Sequence, residues 1–501
     1  MEQNYILAID QGTSSTKTLI FDEAGQVVAR ASEPLKTHYS GDGYVEQQPE
    51  EIYGNVLTSV GKCLGDFAAV GGDRHQIAVA GISNQRETFV VWNEVGEPLY
   101  NAIVWQCKRS IAICERLKAE GLEPLIRQKT GLFVDPYFSG TKLIWLAENV
   151  PKVQQAIQVG NAFFGTIDTW LLFKLTHGAC YFTDYTNASR TLFFNLETLN
   201  WDSELINRFG LSGLNLPELK PSAAYYSESN FNGLLDHPIQ LTAMIGDSHA
   251  AAFGEGCFST GKAKATLGTG CSMLMNIGPA LKESSHGMVS TICWSTDEGA
   301  GRNSVHYALE GVIVTCGATV EWLKNSLGLF AESRDTEAMA LSVPDNGGVY
   351  LVPAFSGLGA PHWQMERKAS ILGLTFSTKK EHIIRAALES IAYQIYEVVV
   401  AMEKDTGILL TELMVNGGLT SNGFVLQFLA DLLGKPIINK AMPDVSALGA
   451  ANLAGFQAGI YPDLAHLEQL VQNRQVIMPG EGTTQAIAGY KGWLNAIHCL
   501  S

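Results

Sequence analysis

An α/β fold made of two related halves is what this chain of 501 residues predicts, on three observations. Short apolar runs of strand length alternate with longer stretches whose apolar residues recur three and four apart, the mixture of periods expected of α/β chains. A strand–turn–strand pattern near the start recurs about half a chain later, with a Gly/Thr turn in each copy. The composition, 46% hydrophobic and 17% charged, supplies apolar surface for a large core and excludes a disordered tail protein.

The first apolar run, YILAI at 5–9, ends on Asp10 and opens into Gln11-Gly-Thr-Ser-Ser-Thr-Lys17 before TLIFD resumes, which reads as two strands joined by a polar turn. QIAVAGIS (76–83) and FVVWN (89–93) are further strand-like runs around Asn84-Gln-Arg-Glu87. RSIAICERLKAEG (109–121) and TKLIWLAENV (141–150) carry helical spacing. The second unit, AKATLGTGCSMLMNI (263–277), turns at Leu267-Gly-Thr-Gly270. Helical runs follow at 382–407 and 423–434, the latter closing on a glycine suited to a helix C-terminus, with a strand and a Gly-Gly turn between them. No long linker interrupts the chain, so the economical division is 1–254 and 255–501.

Lys and Arg number 34 against 50 Asp and Glu, a net charge of −16, and no basic run exceeds a pair. That balance argues against a nucleic acid or an anionic membrane surface as partner. No run of about 18 apolar residues occurs, so no membrane span is expected. The nine cysteines are scattered without a C-x-x-C pair, which fits reduced thiols in a cytoplasm better than a disulfide framework or a zinc site.

Four clusters suggest chemistry, and each has an ordinary structural explanation beside it. Asp10-Gln-Gly-Thr-Ser-Ser-Thr-Lys17 sets a carboxylate, a Gly, hydroxyls and one cation on a tight turn. Such a set suits a polyphosphate partly neutralised by a carboxylate-held Mg²⁺, although polar hairpins share its composition. Ile245-Gly-Asp247-Ser-His-Ala-Ala251 puts a lone carboxylate at a strand-to-helix corner among small residues, where it can accept a proton from a substrate or merely cap a helix. Arg86 with Glu87 can bridge vicinal hydroxyls while Trp105 covers a C–H face; a surface ion pair and a core tryptophan are the commoner explanation. Gly256-Cys-Phe-Ser-Thr-Gly261-Lys262-Ala263 nearly matches a P-loop, but Ala263 lacks the hydroxyl for Mg²⁺ and a strand follows, so it reads as a connection.

In order along the chain, AIDQGTSSTKTLIFD, GISNQRETFVVW, YNAIVWQCKR, TGLFVDPYFSGTKLIWL, FGTIDTWLLFKLT, TDYTNASRTLFFN, GTGCSMLMN, LVPAFSGLGAPHW, ALESIAYQ and SALGAANLAG resemble the FGGY carbohydrate kinases, from the first strand to past residue 450. The resemblance implies two actin-like, ribonuclease H-like domains closing over ATP and a polyol, each with a phosphate hairpin. It implies ATP-dependent phosphorylation of a terminal hydroxyl, with glycerol the first expected substrate. By position, Asp247 resembles the general base, and Asp10 with Asp247 would hold Mg²⁺ through water. Arg86, Glu87, Trp105 and Tyr137 match the glycerol pocket, Thr13, Ser14 and Lys17 the first phosphate loop, and Thr269 the second. Gly317, Glu321, Gly418 and Asn422 match nucleotide-contacting positions. A cytoplasmic homodimer or homotetramer, with a small polyol and ATP as partners, completes the expectation.

Several positions depart from the family pattern. Lys17 replaces the usual Arg, Glu321 the usual Gln, and Asn416 the usual Asp before Gly-Gly. In the substrate pocket, Ser248 stands where family members acting on glycerol have Gln, and Ser272 where they have Phe. Both changes remove bulk and the second replaces an apolar wall with a hydroxyl. A longer polyol or a ketose, such as erythritol, threitol, xylitol or xylulose, is therefore the alternative expectation.

Overall fold

The computed structural model describes residues 4–41, 43–440, 442–470 and 474–499. At its centre is a sheet of 13 strands. The first half contributes β1 (Tyr5–Gln11), β2 (Ser15–Asp22), β3 (Val27–Pro34), β4 (Ile77–Asn84), β5 (Ala223–Ser229) and β6 (Ile239–Gly246). The second contributes β7 (Lys262–Leu267), β8 (Cys271–Gly278), β9 (Val289–Asp297), β10 (Asn303–Ile313), β11 (Glu412–Asn416), β12 (Ile437–Asn439) and β13 (Gln475–Ile477).

β1, β2 and β3 form an antiparallel meander, and β4 and β6 add in parallel on the far side of β1, giving the order β6-β4-β1-β2-β3. The second half repeats this order as β12-β11-β7-β8-β10, with the same parallel and antiparallel pairings. The echo between the turns at Thr13 and Thr269 is thus the trace of one ribonuclease H-like core used twice. β9 lies outside the repeat: it pairs with β10 and meets β5, so hydrogen bonding runs unbroken from one half into the other.

Strand β1 is apolar at every position from Ile6 to Ile9 because both of its faces are covered. Side chains alternate across a strand, so Leu7 and Ile9 pack with Ile52 and Val56 of α1 (Pro49–Ala69), while Ile6 and Ala8 pack with Ala447 and Ala451 of α6 (Val445–Gln457). Between these, α2 (Asp247–Gly254), α3 (Gly317–Asn325), α4 (Lys380–Thr406) and α5 (Gly423–Leu433) complete the helices that matter to the site. Helix α6 runs so close along α2 that a Cβ on Gly449 would lie 1.8 Å from the Ala250 carbonyl oxygen. A glycine is obligatory there, and the contact fixes α2, whose first residue is Asp247. Helix α5 ends on Gly434 in the left-handed conformation, φ 63°, as its sequence suggests.

One pair of strand-like runs behaves differently from a simple neighbouring pair. QIAVAGIS becomes β4 of the large sheet, whereas Phe89–Trp92 joins a separate six-stranded sheet beside Ala162–Thr166. The break is a tight turn in which the Thr88 amide donates to the Arg86 carbonyl (2.7 Å) and Glu87 takes φ 59°. No helix among the described residues is long and apolar enough to cross a membrane.

Candidate active site

The ends of β1, β4 and β6 in the first half, and of β7 and β11 in the second, point into one cavity of about 860 Å³. Strand ends at the carboxyl edge of parallel strands are where α/β sheets place their ligand crevices. Asp10, Lys17, Arg86, Asp247 and Ser248 line it from the first half; Lys264, Thr266, Ser272, Asn416, Gly418 and Ser446 line it from the second. Gly417 makes the second wall possible: its φ is 99°, and a Cβ there would lie 2.5 Å from the Leu267 carbonyl oxygen.

The substrate side is built on buried, alternating charges. Arg86 grips Glu310 with both terminal nitrogens (3.1 and 2.7 Å) and holds its Nε 3.4 Å from Asp247 Oδ1. Arg190 then bridges Glu310 (2.8 Å) and Glu87 (2.6 Å). Burial disfavours all of these charges, but two guanidiniums hold Glu310 well below the ordinary carboxylate range. Behind the array stands an aromatic wall, Trp105 and Tyr137, with ring centroids 5.6 Å apart at 73°. The Tyr137 hydroxyl reaches Arg86 at 3.5 Å.

Asp247 opens to the cleft, with 40% of its side chain exposed, yet lies deep in the molecule. Burial raises its pKa, opposed by Arg86 and by the Ser248 amide that donates to it at 2.6 Å. Asp10 is raised to about 6, first by burial and then by the charge of Asp247, against the Ser83 hydroxyl that donates to it at 3.0 Å. Two carboxylates that repel across the cleft form a donor set suited to a hard divalent cation.

The remaining residues matched by position divide into two groups. Lys17 lines the cavity, but its ammonium is bonded to Asp444 of the second half at 2.8 Å. Thr13 accepts from the Trp105 indole (2.9 Å) and donates to Gln85 (3.3 Å), tying the first turn to the aromatic wall; Ser14 is exposed beside it. Thr269 is the exposed tip of the second turn, and the Gly317 amide at the start of α3 donates to Gly268 O at 2.9 Å. Glu321 lies one helical turn further on and accepts from Ser333 (3.0 Å). Asn422 is largely buried and caps α5 through the Val425 amide (3.1 Å). Glu87, Trp105, Tyr137, Thr13, Ser14, Thr269, Gly317, Glu321 and Asn422 are not among the residues that line the cavity.

Sequence reasoning passed over Glu310, Arg190, Lys264 and Asp444. A lone Glu inside the apolar run YALEGVI, and a Lys in KAKATL, are signals that buried charge awaits a partner. Lys264 is buried, donates to Ser248 Oγ (2.7 Å) and Thr266 Oγ1 (3.1 Å), and has no ion-pair partner among the described residues. Ser248 and Ser272 share a hydrogen bond of 3.1 Å. Lys17 and Arg86 are thus already paired with carboxylates, whereas Lys264, whose pKa burial lowers, has none within ion-pair distance among the described residues.

Twofold use of a ribonuclease H-like core around a cleft with two carboxylates and a buried cation defines a phosphotransferase of the two-domain type. Comparison with known proteins agrees: the N-terminal domain profile of the FGGY family of carbohydrate kinases matches residues 5–254, and its C-terminal domain profile matches residues 263–458. The chain belongs to that family. A glycerol kinase of Carboxydothermus hydrogenoformans is 45% identical over 500 residues, covering 99% of this chain and 98% of the relative. One from Shewanella frigidimarina is 43% identical over 500 residues, with 100% and 98% covered. The crystal structure of Plasmodium falciparum glycerol kinase with ADP superposes with a TM-score of 0.93 at 35% identity, covering 99% of this chain and 98% of that one.

Proposed function

We propose that this protein transfers the γ-phosphoryl group of ATP to a terminal hydroxyl of glycerol, releasing glycerol 3-phosphate and ADP. The observation that carries the reading is Asp247: a carboxylate open to the cleft, 3.4 Å from a buried arginine and facing Asp10 across the same cavity. Full-length similarity to proteins named glycerol kinase selects the substrate.

The hydroxyl oxygen attacks the γ-phosphorus, the bond to the β,γ-bridging oxygen breaks with its electron pair leaving on ADP, and the hydroxyl proton passes to Asp247. Arg86 and Glu87, anchored by Glu310 and Arg190, orient the other two hydroxyls, and Trp105 and Tyr137 cover the carbon chain. Mg²⁺, held by Asp10 and Asp247 through water, would neutralise phosphate charge. Lys264 adds positive charge where the phosphoryl group crosses. The turns at Thr13–Lys17 and Thr269, with Gly317, Glu321, Gly418 and Asn422, form the nucleotide side. The longer-polyol alternative is not favoured by the full-length relatives, and the Ser248 and Ser272 hydroxyls that suggested it bond each other, with Ser248 also accepting from Lys264.

We place the domain division at 254/255, supported by the end of the first family profile and by the repeated strand order. Nine unpaired cysteines support a reducing, cytoplasmic setting.

Asp247→Asn keeps the shape and removes the proton acceptor. Nucleotide affinity should stay within twofold while kcat on glycerol falls by about 10²–10⁴. Wild-type turnover by this variant rejects Asp247 as the base.

A further inference from the structure

We propose that His75, Asp236 and His237 form a binding site for a transition-metal dication, zinc being the expected occupant, at the end of the large sheet opposite the cleft. His75 lies two residues before β4, and His237 two residues before β6. These strands are parallel neighbours, so the segments that lead into them run side by side. The imidazoles stack with centroids 4.8 Å apart and planes within 12°, about the spacing of adjacent strands.

Asp236 completes the set by using both oxygens. Oδ1 lies 2.8 Å from His237 Nδ1 and Oδ2 lies 3.2 Å from His75 Nε2. The three candidate donor atoms all fall within 4.8 Å of one another. Around a tetrahedral zinc with bonds of ~2.0–2.1 Å, donors sit about 3.3 Å apart, so small side-chain rotations close the site. Exposure makes those rotations easy: His75 is 65% exposed and Asp236 66%. Two imidazoles and one carboxylate select zinc or a similar borderline ion over Mg²⁺ or Ca²⁺, and leave the fourth position to water.

The site would clip two segments whose Ile77, Phe231 and Leu235 already belong to one apolar core. Arg74 already reaches across, donating to the Leu234 carbonyl at 3.4 Å. The loop before β6 is turned back toward His75 by left-handed residues at Phe231, Asn232 and Gly233. With eight residues in each strand and a rise of ~3.3 Å, the site is about 26 Å from the strand ends that carry the catalytic groups. Zinc bound there is therefore expected to raise thermal stability without entering the reaction.

The test uses the metal-stripped full-length protein, with excess Mg²⁺ present to occupy the cleft carboxylates. Zinc titration by calorimetry should show one more equivalent for wild type than for the His75→Ala/His237→Ala double variant. Each single variant and Asp236→Asn should weaken binding at least tenfold, and Co²⁺ should give a tetrahedral visible spectrum only with wild type. Zinc should raise Tm in wild type alone, and kcat measured with excess Mg²⁺ and no added zinc should be the same for all. Equal stoichiometry and affinity in wild type and double variant would overturn the site and leave a surface ion pair. If the double variant folds poorly, Asp236→Asn, which retains the local hydrogen-bonding shape, decides: unchanged zinc binding by it also overturns the proposal.

Discussion

At the scale of single residues, the cleft is a place where charge is held at a cost to the fold. Asp10 is raised from 3.8 to about 6, so the folded protein binds its proton more tightly than the unfolded chain does. The sign follows: this carboxylate costs the fold nothing below pH 3.8 and costs most above pH 6, up to about 3 kcal/mol at roughly 1.4 kcal/mol per unit. Asp10→Asn should therefore raise Tm at pH 7.5 while severely weakening Mg²⁺-dependent turnover, and wild-type kcat/KM should fall as pH drops below about 6. A variant that is less stable than wild type at pH 7.5 would contradict this. Lys264→Met removes a buried donor to Ser248 and Thr266. Turnover should fall at least tenfold with the fold intact by circular dichroism; unchanged kcat would remove Lys264 from the site. Asp10, Arg86 and Asp247 were legible in the sequence because each closes or follows an apolar run, where strands end. Glu310 and Arg190 were not, since nothing local says that Glu310 will pair with Arg86 from far along the chain or that Arg190 will bridge Glu310 and Glu87.

At the scale of elements, the site depends on how closely helices approach. Helices α2 and α6 touch through Gly449, and a methyl group there would meet the Ala250 carbonyl. Gly449→Ala should destabilise by about 1–3 kcal/mol or more and lower kcat by displacing Asp247, measured by urea unfolding alongside steady-state kinetics. Wild-type stability would show that the helices have room to separate. The strand and helix periods located the elements read from them, from the first two strands to the glycine stop of α5. They did not show that Phe89–Trp92 would leave the main sheet, because the turn at Glu87 relies on tertiary contacts with Arg190 and Ser139 rather than on a glycine.

At the scale of the whole molecule, a chain of net charge −16 must bind a polyanion. The structure answers with concentration of charge rather than amount: Lys264 is buried with no carboxylate in ion-pair reach among the described residues, and Lys17 joins the halves through Asp444. The duplication was readable from one turn echo, but the shared sheet was not, because β5 and β9 meet only through the distant pair Ala223 and Thr296. The most direct measurement of function is ATP-coupled kcat/KM on glycerol, erythritol, threitol, xylitol, xylulose and ribulose under one set of conditions. Glycerol should exceed every other substrate at least tenfold, with product phosphorylated on a terminal oxygen. Equal or higher kcat/KM on a longer polyol or a ketose would contradict the assignment of glycerol as the substrate.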